Sequence, residues 1–248
     1  MNSRPGRPPG ACILPAGARG AAPADGTGLP KTSWDGPASS VSVRQGITSV
    51  GIMKQADWAE EVARKLLEIP LPRRWAHSQG VAIQARTLAP ILGKDADLLE
   101  VTAWLHDVGY SPDLVETGFH PLDGARHLRD VEHADEMLCR LVAHHSCAIT
   151  EAEERGLKRV LLREFPPPPR ELVEALTYSD MTTSPDGNPL TVHDRLAEIG
   201  TRYGPGHVVT RSIGRSSPAL MTAATRVQRR MRDPVTPAAP LTARLAVA

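Results

Sequence analysis

The sequence predicts an all-α fold, on three observations. From about residue 55 to about residue 231, apolar residues recur at helical spacing. The interruptions in that pattern fall at Gly and Pro. No stretch shows the strict alternation of a half-buried strand or the rhythm of a strand–helix–strand unit.

The first 52 residues are rich in Pro, Gly, Ala and Ser, with Asp25 and Asp35 as their acids and no periodicity, and read as a disordered leader. A first helix is expected over Gln55–Glu68, directly after Met53, a second candidate start of translation. Pro70 and Pro72 close it. A second helix is expected from about Arg73 to Leu92, with Val81, Leu88 and Leu92 on one face. A third runs from about Asp97 to Val108, with Leu98, Val101 and Leu105 at helical spacing, and stops at Gly109.

A short helix opens at Pro121, another covers about Glu132–His145, and weaker signals span Glu151–Glu164. The four prolines at 166–169 end that stretch and start a helix over Arg170–Asp180, since Pro is tolerated in a first turn. After the turn-rich Ser184–Leu190, Thr191 caps a further helix, and a last helix is expected over about Pro218–Met231. The domain is thus placed at 53–231, with a flexible tail over 232–248.

Composition excludes several classes of function. Lys and Arg number 29 against 28 Asp and Glu, so no net charge marks a nucleic acid or an acidic membrane as the partner. Three cysteines without a CxxC pair make no disulfide framework, which fits a reducing cytoplasm. No apolar run is long enough to span a bilayer.

Two His-Asp dipeptides occur, and a dipeptide alone carries little information. His193-Asp194 follows Thr191, where an acid suits the start of a helix, and is read as a cap. His106-Asp107 stands at the end of an apolar helix, where an acid faces the negative end of the dipole and needs compensation. Asp180 repeats the anomaly, four residues after Leu176 and seven after Val173 on an apolar face. His77 falls one turn before Val81 on a buried stripe. Two imidazoles and two carboxylates from separate helical turns make a mixed nitrogen and oxygen shell suited to Mn, Fe, Co, Ni, Zn or Mg.

His77 in RRWAHSQGVA, His106-Asp107 in AWLHDVGY and Asp180 in LTYSDMTT, in that order, resemble the signature of the HD-domain metal-dependent phosphohydrolase superfamily, over about residues 75–185. The resemblance implies a divalent metal on His77, His106, Asp107 and Asp180. It also implies a second on His120 of GFHPLDGA and His144 or His145 of VAHHSC, with Asp107 as a bridge. The implied activity is hydrolysis of a small-molecule phosphoester, a nucleotide above all, by a metal-activated water that His106 and Asp107 serve. The SCAIT sequence after the His pair departs from the HD-GYP group and argues against cyclic dinucleotide hydrolysis of that type. A diiron oxygenase on the same ligands and a non-catalytic regulatory module are the alternatives. Arg73, Arg74 and Arg126 lie near the motifs and are read as solvated surface cations.

Overall fold

The computed structural model describes residues 49–233, so the leader over 1–48 and the tail over 234–248 lie outside the described residues. Eleven α-helices and four short 3-10 turns make up the described residues, with one isolated bridge between Thr183 and Pro189. No described helix is long and apolar enough to cross a membrane.

Helix α4 (Ala96–Leu105) is the centre of the packing. Its residues Leu99, Val101, Ala103 and Leu105 are buried, and it lies against α1 (Ser49–Leu67), α2 (Pro72–Arg86), α6 (Glu136–His144) and α9 (Arg170–Met181). Trp75 of α2 stacks on Trp104 of α4 with ring centroids 5.6 Å apart, which fixes the register of these two helices. Helix α5 (His120–Asp130) packs on α6, while α11 (Val208–Arg232) covers α9, α10 (Val192–Tyr203) and α7 (Ala148–Glu154).

Several boundaries differ from the sequence-based expectation, each for a local reason. The first helix begins at Ser49, ahead of the expected Gln55. The expected Arg73–Leu92 helix breaks after Arg86, because Pro90 has no N–H and its ring opposes the Arg86 carbonyl; α3 (Ala89–Leu92) follows. Helix α4 ends at Leu105, so His106 caps it and Asp107 stands beyond it. Helix α6 starts later than expected, where the Asp135 side chain accepts from the Met137 N–H. Gly156, with a positive φ of 73°, divides the stretch after 147 into α7 and α8 (Lys158–Glu164). The last helix starts ten residues before Pro218, which is carried on its exposed face.

Two glycines allow close backbone approach. A Cβ on Gly109 would collide with the His120 carbonyl and lie 2.5 Å from the Gly124 N, so only Gly lets the chain after Asp107 touch the start of α5. Gly80 likewise packs on Gly187, whose φ is +80°. Gly109→Ala is therefore expected to destabilise the protein by about 3 kcal/mol. Gly200→Ala, in the middle of α10 with nothing within 4 Å of the added atom, is expected to stabilise it by about 0.5–1 kcal/mol. Urea titrations of both variants check this pair.

Candidate metal centre

The end of α4 delivers two groups at once. His106, fully buried, uses its Nδ1–H to donate to the Ala103 carbonyl at 2.8 Å, so its Nε2 carries the lone pair. Among the described residues that Nε2 has no hydrogen-bond partner; it is buried and lies 3.6 Å from Asp107 Oδ2. A buried acceptor left bare beside a carboxylate is costly unless a cation lies between them.

His77 comes from the middle of α2. Its Nδ1 donates to the Ser184 carbonyl at 2.9 Å, and its Nε2 lies 3.0 Å from Asp180 Oδ1 and 3.9 Å from Asp107 Oδ2. The Gly80–Gly187 contact holds the Ser184–Leu190 segment against α2 and so presents that carbonyl. Asp180, in the last turn of α9, also accepts from the Ser146 hydroxyl.

His120 opens α5. Asp123, buried in its first turn, accepts from the backbone N–H groups of Glu116, Thr117 and Gly118 and cinches the loop that brings His120 in. His120 stacks on Tyr110 at 3.8 Å, and its Nε2 lies 3.4 Å from Asp107 Oδ1. His145 engages the Val142 carbonyl through Nδ1 at 2.6 Å, which leaves Nε2 to accept from His120 Nε2 at 3.1 Å.

His144 and His145 part company because α6 ends between them. His145 has extended backbone, and Ser146 and Cys147 follow with φ of 46° and 62°. Two successive non-Gly residues in the left-handed region cost on the order of 1–2 kcal/mol each, strain typical of functional sites. His144 is turned the other way and donates from Nε2 to the Phe165 carbonyl at 2.7 Å. Of the adjacent pair expected to supply a ligand, His145 belongs to the groups below and His144 to neither.

Among the described residues, two sets are spaced to hold a metal ion: His77, His106 and Asp107, and Asp107, His120 and His145. Asp107 belongs to both, one oxygen facing each set. Asp180 meets the first set through His77. The chemistry of the donors fits a divalent cation, with no thiolate in either set.

The electrostatics favour ionised Asp107 and Asp180 and neutral His120 and His145. Burial alone pushes the Asp107 carboxyl up, but Arg74 and the surrounding imidazoles outweigh it and hold the group well below the usual carboxylate range. Arg74 donates to Asp107 Oδ2 at 2.6 Å and lies over the Tyr110 ring at 3.8 Å. Burial likewise opposes the Asp180 charge, and His77, His106 and Arg195 overcome it. Burial pushes His120 and His145 down, which favours neutral imidazoles.

Sequence reasoning read Arg74 as a surface cation, yet its guanidinium is largely buried on Asp107. Arg73 and Arg126 do pair near the surface, with Asp186 and Glu164. Tyr110 and Ser146 lie inside the AWLHDVGY and VAHHSC stretches without a role assigned to them there, and Arg195 lies in no motif. His193 is exposed, and Thr191 and Asp194 form the expected cap.

Residues 74–196, just under half of the chain, match the family model of the HD domain, a metal-dependent phosphohydrolase superfamily. The chain is also similar to ribonuclease Y of Rhodopirellula baltica, 37% identical over 75 residues. That stretch covers 30% of this chain and 14% of the relative. No solved structure matches the chain.

A pH dependence follows for the metal-free protein. His120 and His145 lie below the ordinary imidazole value of 6.5, so the unfolded chain binds their protons first and stability falls as pH drops below that value. Each contributes a slope of up to about 1.4 kcal/mol per pH unit. Asp107 and Asp180 are shifted below 3.8, so their contribution is present above that value and is lost further down, as pH falls through their folded-state values. Burial lowers His144 as well, so denaturant titrations of chelator-treated protein between about pH 7 and about pH 3 are expected to show both windows, the first reduced but not abolished in a His120→Gln, His145→Gln double variant.

Proposed function

We propose that this chain is a metal-dependent phosphohydrolase that cleaves a phosphoester or phosphoanhydride of a nucleotide. The observation that carries this reading is Asp107, a buried carboxylate shared by two His-Asp sets, with the unpartnered Nε2 of His106 aimed at it. In this reading His77, His106, Asp107 and Asp180 hold one divalent ion, and His120 and His145 with Asp107 hold a second.

Bound there, such a cation supplies Lewis acidity and a water made acidic enough to attack phosphorus at neutral pH. The chain's own residues do the rest. The Ala103, Ser184 and Val142 carbonyls fix the Nδ1–H tautomers of His106, His77 and His145, so that Nε2 of each is the donor atom. Arg74 keeps Asp107 ionised and in place. Asp107, with both oxygens inside the cluster, is within reach to orient the attacking water. The site opens to a cavity also lined by Arg74, Tyr110, Arg195 and Tyr203, which gives substrate a way in.

The test is elemental analysis of protein purified with and without oxygen, followed by a phosphoester panel on the wild type and three variants. Asp107→Ala and His106→Ala are expected to lose metal and at least about 100-fold in turnover. His144→Gln is expected to keep its metal content and turn over within about twofold of the wild type, since only the Phe165 contact is touched. Full activity in both ligand variants overturns the proposal. Turnover that requires oxygen supports an oxygenase instead, and protein without stoichiometric metal supports a non-catalytic module.

A further inference from the structure

Helix α10 projects Arg195, Ile199, Arg202 and Tyr203 into the cavity beside the metal-ligand cluster. These positions fall on one face at intervals of four, three and one residues. Val192 anchors the start of the helix in the core, and Ile199 lies where the core meets the cavity.

Arg195 is the anomaly. Only 4% of its surface is exposed, yet among the described residues just one of its nitrogens has a hydrogen-bond partner, Nη1 on Glu198 Oε2 at 2.6 Å. Its Nε is buried with no partner at all. Its Nη2 lies 3.8 Å from Asp180 Oδ1, an ion pair but too long for a hydrogen bond. A guanidinium has five N–H donors in a rigid fork, and burying it with most of them unused is costly unless an anion completes the set. An arginine that served only to tie α10 to α9 would bond Asp180 directly. This one stands off from the carboxylate that reaches His77 and faces the space where a substrate would lie.

The rest of the cavity wall is mixed, with Glu151 and Ser146 among its polar residues. Met181, Ile199, Val209 and Ile213 line it beyond the arginine. The cavity therefore offers arginines and apolar side chains together, the two chemistries that a phosphate ester presents.

We infer that α10 is the substrate-recognition helix, with Arg195 as the anchor for the substrate's phosphate oxygens and Ile199 in contact with the organic group. This rests on the phosphohydrolase reading above. Arg195 is a binding residue here; its charge also faces Asp180 at 3.8 Å, and a lysine in its place keeps that charge.

The experiment uses the full chain loaded with Mn, p-nitrophenyl phosphate as substrate and inorganic phosphate as inhibitor. Arg195→Lys keeps the charge and removes the fork. It is expected to raise KM and weaken phosphate inhibition about 10-fold each, with metal content and Tm unchanged. Ile199→Ala is expected to raise KM severalfold while the inhibition constant for phosphate stays put. Unaltered KM and phosphate inhibition in Arg195→Lys overturn the inference, as does a loss of metal or of Tm that accounts for the change. If the wild type hydrolyses no phosphoester, the phosphohydrolase reading fails on its own. Thermal melts with inorganic phosphate then decide the anchor: a rise in Tm in the wild type and none in Arg195→Lys supports it, and equal rises or none in either overturn it.

Discussion

Asp107 is a carboxylate taken out of water and set between four imidazoles and one guanidinium, and the packing around it is arranged to tolerate that charge. An isolated buried carboxylate costs several kcal/mol, and it would take up a proton rather than stay ionised. Here Arg74 holds it at 2.6 Å, itself kept in position by Tyr203 and the face of Tyr110. The donors that face it come from α2, from the end of α4, from the start of α5 and from the turn after α6, so the site exists only when those elements are docked.

The docking is in turn set by residues with no chemistry of their own. Trp75 on Trp104 registers α2 against α4. Gly109 and Gly124 let the chain after Asp107 meet α5 backbone to backbone, and Gly80 with Gly187 brings the Ser184 carbonyl to His77. Each imidazole in the two ligand sets other than His120 spends Nδ1 on a backbone carbonyl, which leaves Nε2 of each facing the carboxylates. The backbone thus selects the tautomer, and the helices select the direction.

Strain is concentrated in the same place. Ser146 and Cys147 take left-handed backbone immediately after His145, and that turn both separates His145 from His144 and aims the Ser146 hydroxyl at Asp180. Such geometry persists only where surrounding contacts fix it. It is the price of having two adjacent histidines serve opposite sides of α6, one in the cluster and one on the Phe165 carbonyl.

Helical periodicity alone determined the all-α class, and the misplaced acids at 107 and 180, with His77 on an apolar stripe, marked the centre. These signals are legible because an acid on a core face violates a local rule that reads directly from spacing. The choice between His144 and His145, the burial of Arg74 and the half-satisfied Arg195 belong to the tertiary structure. Nothing in the spacing separates adjacent residues at a helix end, and whether an arginine is a surface cation or an interior one depends on what other helices pack over it. For Arg74 that decision was made by Asp107, 33 residues away, and for Arg195 by Asp180, reached across the turn-rich loop between α9 and α10.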